Sequence, residues 1–214
     1  MAELEIRLLA RNEPLLIYQS LAKLHASEIH GGFLTSLGLP VLERLYRAIH
    51  GSPHAFVLIA EREGKPVGFL CASTNTKRVY RRIVLTSWPS LLPVLVGKIA
   101  RWSTVRRIWE TLRYPSKAPA PDLPDAEILN FCVDGKQQGR GIGRALFAAM
   151  QEEYRRRGVR KIRIVTGAGQ HSAIRFYDKM GADPVGRLEV HANVESKMYV
   201  FTIQGCHAPI EKEP

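Results

Sequence analysis

The chain has 214 residues, of which 45% are hydrophobic and 24% are charged. This composition excludes intrinsic disorder over most of the chain, and the length favours one large domain. The three cysteines, Cys71, Cys132 and Cys206, form no C-x-x-C pair. That pattern excludes a disulfide scaffold and argues against a structural zinc site, so no metal is expected. The first residues lack the basic-then-apolar order of a secretory signal, which predicts a cytoplasmic location.

The net charge of +11 predicts an acidic partner, such as a nucleotide-like cofactor, a nucleic acid or an anionic membrane. The charge is concentrated in residues 77–114, which contain nine Lys or Arg residues, one acid and all three tryptophans. Two interpretations stay open: helices that cover an acceptor cleft or a dimer face, and an interfacial segment that makes a peripheral membrane contact. Nucleic acid is disfavoured, because phosphate tracking favours exposed cations over a wide apolar stripe.

Hydrophobic periodicity predicts a mixed α/β domain over residues 1–204 and a C-terminal tail over 205–214. The predicted elements, in chain order, are a strand (3–9), a helix (13–28), a helix opened by Pro40 and closed by Gly51, a hairpin (55–60 and 66–73), the basic segment (77–114), a strand (128–133), a helix that ends at Gly158, a strand (161–166), a short helix that stops at Gly181, and two strands (184–191 and 197–203).

The strongest chemical signal is the glycine-rich run from Gln138 to Gly143, between a predicted strand and a predicted helix. Glycines let the backbone pass close to an anion, and the N–H groups and dipole of the helix start favour negative charge. The run is not a Walker loop, since no Gly-Lys-Ser/Thr follows, and no acid ends the next strand as a Rossmann fingerprint requires. A plain glycine-rich turn before a helix is the alternative interpretation.

Two motifs at this separation resemble the GNAT superfamily of acetyl-CoA-dependent N-acetyltransferases. Gln138-x-x-Gly141-x-Gly143 matches the first motif, and residues 170–182 match the second through Ala173, Phe176, Tyr177, Lys179 and Gly181. Gln170 replaces the asparagine of the second motif, and Ala182 replaces its phenylalanine. The resemblance implies an α/β fold with a central mixed sheet, in which strands four and five splay apart and the pantetheine lies in the gap. It also makes residues 77–114 a helical insertion between strands three and four.

The resemblance implies acetyl-CoA as cosubstrate and transfer of its acetyl group directly to a primary amine of an unidentified acceptor, such as an acidic or nucleotide-linked small molecule. A protein or peptide amine remains open as acceptor, as do a non-catalytic acyl-CoA-binding module and a homodimer. The cofactor-binding residues that it implies are Phe131, Cys132 and Val133 for the pantetheine, Gln138, Gly139, Arg140, Gly141, Ile142, Gly143 and Arg144 for the pyrophosphate, and Gln170, Ala173 and Phe176 of the second motif.

The resemblance makes Tyr177 the general acid that donates a proton to the leaving sulfur, whereas a core aromatic is the alternative interpretation. The resemblance also makes Glu127, at the start of its strand and six residues before Val133, the candidate general base, because a glutamate in a similar place serves as base in histone-acetylating members; an exposed structural glutamate is the alternative. Weaker candidates for the base are Asn130, Asp134, His25, His30 and His171. Cys132 lies inside an apolar strand, which favours packing over a nucleophilic thiolate.

Overall fold

The computed structural model describes residues 3–29, 33–86, 123–191 and 194–205. Within these ranges, seven strands form one sheet in the order β1-β2-β3-β4-β5-β7-β6. The strands are β1 (Leu4–Leu8), β2 (Ala55–Arg62), β3 (Lys65–Ser73), β4 (Glu127–Val133), β5 (Lys161–Gly167), β6 (Asp183–His191) and β7 (Val194–Thr202). Only the β4–β5 pair is parallel among these strands. The predicted mixed α/β fold is confirmed.

Helices cover both faces of the sheet. They are α1 (Leu15–Glu28), α2 (Phe33–Leu37), α3 (Leu39–His50), α4 (residues 76–86), α5 (Ile142–Arg156) and α6 (His171–Lys179). Five of them match predicted helices or the predicted helical insertion, whose residues 87–114 lie outside the described ranges. The five-residue helix α2 was not predicted, because so short a segment carries little periodicity.

The sheet separates two apolar layers, which explains why its central strands are near-continuous hydrophobic runs. One layer packs α5 and α6 on one face, with Leu146, Phe147, Met150 and Tyr177 against Leu58, Leu70, Ile128 and Ile164. The other packs α1 and α3 on the opposite face, with Leu21, Leu42 and Tyr46 against Val57, Ile59, Phe69 and Cys71. Alternate residues of one strand therefore enter different layers, as the two-residue period of a strand requires.

The parallel pair β4–β5 is joined only at its start. Glu127 pairs with Arg163 and Ile128 pairs with Ile164, after which β5 continues alongside β7 alone. β4 also contains a bulge, because Asn130 and Ile128 pair with consecutive residues of β3 and Leu129 is left over. Beyond the bulge, one edge of β4 has no neighbouring strand among the described residues. Backbone groups at this edge are open to a ligand, except the carbonyl of Val133, which accepts a hydrogen bond from Gln138. The predicted splay of strands four and five is confirmed.

The inserted segment begins and ends at the same place on the sheet. The N–H of Thr76, at the start of α4, donates to the carbonyl of Asp125 at 2.9 Å. The Asn75 side chain donates to the Asp125 carboxylate at 3.2 Å. Val79 and Ile83 bury the inner side of α4 in the layer formed by α1 and α3. None of the helices in the described ranges is long and apolar enough to span a membrane.

Candidate active site

The loop after β4 folds back onto the end of that strand. The Asp134 carboxylate accepts a hydrogen bond from the backbone N–H of Lys136 at 2.9 Å, which starts a short 3-10 turn over Gly135–Gln137. The Gln138 amide then donates to the carbonyl of Val133 at 3.0 Å. The loop is therefore fixed to the open end of β4 before the glycine-rich run begins.

The glycine-rich run forms an open cradle at the start of α5. Gly139 and Gly141 have φ angles of 77° and 82°, a conformation that side chains with a Cβ rarely adopt. Among the described residues, apart from its chain neighbours, no atom lies within 4 Å of a Cβ built at either position. Gly141 is also the N-cap of α5, so the first N–H groups of the helix receive no side-chain cap. With Arg140 and Arg144 exposed beside it, the cradle fits an anion such as a pyrophosphate.

Gly143 and Ile142 face the protein rather than the cradle. The Ile142 side chain is buried, so only its backbone N–H is available to a ligand. A Cβ on Gly143 would touch the rings of Phe131 and Phe176 at 3.6 Å. These two rings pack edge to face with centroids 5.4 Å apart. Both distances are ordinary van der Waals contacts, so Gly143 packs α5 against this aromatic pair without the space itself requiring glycine.

The second motif lines the β5 side of the gap. Ala173 and Phe176 are half-buried and pack on the layer of α5 and α6. Gln170, the N-cap residue of α6, accepts a hydrogen bond at its side-chain oxygen from the Thr166 hydroxyl at 2.7 Å. The glutamine that replaces the motif asparagine thus ties the start of α6 to the end of β5.

Tyr177 lies on the inner side of α6. It is 5% exposed, and its ring contacts those of Phe176 and Tyr199, with centroids 5.6 Å and 6.1 Å away. Burial raises the pKa of its phenol, so the hydroxyl is protonated at neutral pH. A protonated phenol is the form that a general acid needs before transfer.

Glu127 lies at the closed end of the gap and is only 4% exposed. Its carboxylate forms an ion pair with Arg163 at 2.6 Å, and the two residues are also paired across β4 and β5. The Tyr154 hydroxyl, 3.0 Å from the carbonyl of Ser73 and 3.1 Å from that of Glu127, ties α5 to the same point. The interpretation of Glu127 as an exposed glutamate is wrong. Its assignment as the general base stays a prediction, with a structural role at the closed end as the competing one.

The other candidates are spread around the site. Cys132 is buried, and burial raises the pKa of its thiol, which matches packing rather than nucleophilic chemistry. Asn130 is half-buried beside the bulge. Asp134 caps the 3-10 turn over Gly135–Gln137 with its carboxylate. His171 is exposed at the first position of α6, and His30 lies outside the described residues.

His25 is a buried residue of α1 on the side that faces α3. One of its ring nitrogens shares a hydrogen bond with the hydroxyl of Tyr46 in α3. Burial lowers the pKa of His25 to about 4, from about 6.5 in an unfolded chain. Between these values the unfolded chain binds a proton that the folded chain does not. The stability that neutral His25 allows is therefore present above pH 6.5 and is lost as the pH falls towards 4.

We expect the free energy of unfolding to fall by about 3 kcal/mol over that interval because of His25 alone. Urea unfolding of the native protein and of His25→Gln between pH 4 and pH 8 measures this difference. The glutamine keeps a partner for Tyr46 but does not titrate, so its stability should depend less steeply on pH. Parallel pH profiles for the two proteins would contradict the assignment.

Comparison with known proteins decides the family. A family model described as "Acetyltransferase (GNAT) family" matches residues 26–182, which is more than half of the chain. The chain belongs to the GNAT family of acetyltransferases. This GNAT protein is accordingly an acyl-CoA-dependent N-acetyltransferase by family, with acetyl-CoA as the cosubstrate that the family uses. A search of curated proteins finds no significant match.

Solved structures similar to this GNAT protein share its fold. The ribosomal-protein-S18-alanine N-acetyltransferase from Escherichia coli has a TM-score of 0.60 and 14% identity, over 99% of each chain. An N-acetyltransferase from Staphylococcus aureus Mu50 has a TM-score of 0.60 and 13% identity, over 95% of this chain and 100% of that one. Ard1 from Thermoplasma volcanium has a TM-score of 0.58 and 16% identity, over 94% of this chain and 97% of that one.

Two features of the site were not predicted from the sequence. The bulge at Leu129 lies within an apolar run that carries no local mark of an extra residue. The second is the proximity of the Glu28 carboxylate, at the end of α1, to Gly135, just after β4, where an added Cβ would lie 3.2 Å from it. The glutamate and the glycine are more than a hundred positions apart, and only the packing of α1 on the sheet brings them together.

Proposed function

We propose that this GNAT protein transfers the acetyl group of acetyl-CoA directly to a primary amine. The observation that carries the proposal is the gap between β4 and β5, which opens beside a bulge and has an anion cradle at its outer end. A long, thin ligand with a pyrophosphate at one end and a thioester at the other matches this arrangement. The cradle holds the charged end, and the unpaired edge of β4 receives the amide groups.

Each part of the site has a separate task in this proposal. Backbone groups of Phe131, Cys132 and Val133 bond the pantetheine, as a neighbouring strand would. The N–H groups at the start of α5 bind the pyrophosphate. Bound acetyl-CoA supplies an acetyl thioester, and Tyr177 donates its phenolic proton to the sulfur that leaves. The amine nitrogen loses one proton, which passes to a base, the role predicted for Glu127. Direct transfer is favoured over an acyl-enzyme because the Cys132 thiol is buried and protonated.

The acceptor approaches from the face of α1 and α3. The helix α5 and its cradle lie at one end of the gap and on one face of the sheet. The opposite face therefore remains for a second substrate. The arginines of residues 77–114 favour an acidic or nucleotide-linked amine. A protein or peptide amine is the second candidate, since the similar E. coli enzyme is by name an alanine N-acetyltransferase of a ribosomal protein.

Replacing Gly141 with leucine should abolish measurable acetyl-CoA binding. The residue has a φ of 82°, so a leucine would strain the turn and place its side chain in the cradle. Isothermal titration with acetyl-CoA measures the affinity, and release of CoA over a panel of primary amines measures transfer. Gly158→Leu is the matched control, because Gly158 also has a positive φ (69°) and open space but lies at the far end of α5.

The two measurements separate the alternatives. Tight binding with CoA release supports the proposed transferase, and tight binding without release from any amine would indicate a non-catalytic acyl-CoA-binding module. If the native protein does not bind acetyl-CoA, or if Gly141→Leu binds it as well as Gly158→Leu does, the cradle is not the cofactor site.

A further inference from the structure

An arginine of β2 reaches the loop that leads into the cradle. Arg62 is the last residue of β2, and its Nη1 donates a hydrogen bond to the side-chain oxygen of Gln137 at 3.2 Å. Gln137 ends the short 3-10 turn and directly precedes Gln138, where the glycine-rich run begins. Both side chains are half-buried. The two residues are 75 positions apart, so the fold of the sheet, and not the local course of the loop, brings them together.

Arg62 lies on the face of the sheet that carries the cradle. It is paired with Leu4 of β1, whose side chain packs on the layer of α5 and α6. Directly opposite residues of an antiparallel pair share a face, so the Arg62 side chain enters the layer in which α5 begins. The strand β3 lies between β2 and β4, and the N–H of Asp134 donates to the β3 carbonyl of Val67 at 2.9 Å. The arginine therefore reaches across the end of β3 to the loop.

The guanidinium of Arg62 is seated against the protein. Its Nε is shielded from solvent and has no hydrogen-bond partner among the described residues. An arginine extended into water would keep this donor hydrated, so the bond to Gln137 holds the guanidinium in place although one donor is left unpaired. In the parts of the chain that the structure describes, it is the one side-chain hydrogen bond that joins residues 135–141 to a strand other than β4.

Such a tether matters because the loop contains two glycines with left-handed φ. Gly139 and Gly141 adopt the conformation that the cradle needs, but glycine also leaves an unrestrained loop with more conformations than any other residue. A loop that must be ordered when its ligand binds loses that freedom at the expense of affinity. A loop that is already held in its binding conformation loses less, so it binds more tightly with the same contacts.

We propose that Arg62 is a positioning residue, which acts through Gln137 to hold the glycine-rich loop ready for the pyrophosphate of acetyl-CoA. The inference rests on the proposed acetyl transfer and adds to it a determinant of cofactor affinity that lies outside both sequence motifs. Arg62 acts on the loop and not on the thioester. Its loss therefore raises Kd and KM for acetyl-CoA and leaves kcat at saturating cofactor unchanged.

The first test breaks the hydrogen bond from each side. Arg62→Met keeps an unbranched apolar stem and removes the donors and the charge, whereas Gln137→Met removes the acceptor and leaves the charge. We expect each variant to raise Kd for acetyl-CoA by about 3- to 30-fold, with kcat within twofold of the native value. A Kd within twofold of the native value in Gln137→Met would overturn the proposal, because Arg62 would then act through its charge alone.

Arg44→Met is the matched control for both variants. Arg44 is also half-buried and donates one hydrogen bond, to the carbonyl of Pro40 at 3.3 Å, but it lies on α3 in the opposite layer. Its Kd for acetyl-CoA should equal that of the native protein. An equal rise of Kd in Arg44→Met would show that the loss of any such arginine weakens binding, and would overturn the proposal.

The second test combines the two changes and adds a conservative one. The double variant Arg62→Met with Gln137→Met should bind acetyl-CoA no more weakly than the weaker single variant, since both changes act on one interaction. Arg62→Lys keeps the charge and one kind of donor, so its Kd should fall between those of the native protein and Arg62→Met. Effects that multiply in the double variant would show two independent roles and would count against the tether.

A measurement without ligand keeps this inference separate from the catalytic one. Relaxation of ¹⁵N reports the order parameters of the Gly139 and Gly141 amides in the unliganded proteins. Both order parameters should fall in Arg62→Met and in Gln137→Met, but not in Arg44→Met. That result, with weaker CoA binding by the same two variants, supports the tether even if no amine releases CoA. Equal order parameters in all four proteins would overturn it, even if the native protein acetylates an amine.

Discussion

Replacing Tyr177 with phenylalanine should lower kcat by about 10²- to 10⁴-fold and leave the affinity for acetyl-CoA within a few-fold of the native value. The phenylalanine keeps the ring contacts with Phe176 and Tyr199, so the core of α6 is preserved. It removes only the hydroxyl. That hydroxyl is protonated at neutral pH, because burial raises its pKa. Single-turnover release of CoA measures the chemical step, and calorimetry measures the affinity.

Tyr199→Phe is the matched control for this variant. Tyr199 is a fully buried tyrosine of β7 whose ring lies 6.1 Å from that of Tyr177, but the second motif does not include it. Its loss should change single-turnover release of CoA by no more than a few-fold. If Tyr177→Phe matches the native rate in this assay, the proton comes from another donor and Tyr177 is a core aromatic.

Replacing Glu127 with glutamine should lower the free energy of unfolding by about 3 to 5 kcal/mol, the usual cost of removing one partner of a buried ion pair. The glutamine leaves the Arg163 guanidinium in the protein interior without the carboxylate that lies 2.6 Å away. The change also removes the side-chain ion pair that links β4 to β5 where the two strands are joined, while their backbone pairing is kept. Urea unfolding at fixed pH measures the loss.

Glu152→Gln provides the control for Glu127→Gln, because Glu152 forms ion pairs with Arg155 and Arg156 on the surface of α5 and its side chain is 49% exposed. Its loss should cost less than about 1 kcal/mol. The experiment also separates the two roles of Glu127. A general base would show normal stability and a large fall in kcat, whereas a structural ion pair would show low stability and near-native kcat in the folded fraction.

Local signals in the sequence predicted the elements that form the candidate cofactor site. The glycine-rich run does lie between β4 and α5, and two of its glycines have the left-handed φ that a close approach to an anion uses. The periodicity of α1, α3 and α5 was equally readable, because each helix buries one face on the sheet. The splay of β4 and β5 came from the family resemblance, since nothing local to either strand specifies where their pairing ends.

What the sequence could not predict depends on residues that are distant along the chain. One interpretation made Glu127 an exposed glutamate, but Arg163 from the adjacent strand holds it in a buried ion pair. His25 was a candidate base with ordinary titration, but α3 covers it and supplies Tyr46 as its partner. The burial of both side chains is decided by which helix or strand packs on them, and a single sequence contains no local mark of that choice.

The hydrogen bond from Thr76 to Asp125 makes the stability of the domain depend little on the length of the inserted segment. The sheet holds the two ends of the segment together. The entropy cost of closing this loop is therefore incurred when β3 pairs with β4. Doubling the length of such a loop costs only about 0.6 kcal/mol more. Sequence between these anchors can therefore lengthen, shorten or diverge at little cost to the sheet and to the glycine-rich loop. The segment and the rest of the domain can then evolve at different rates.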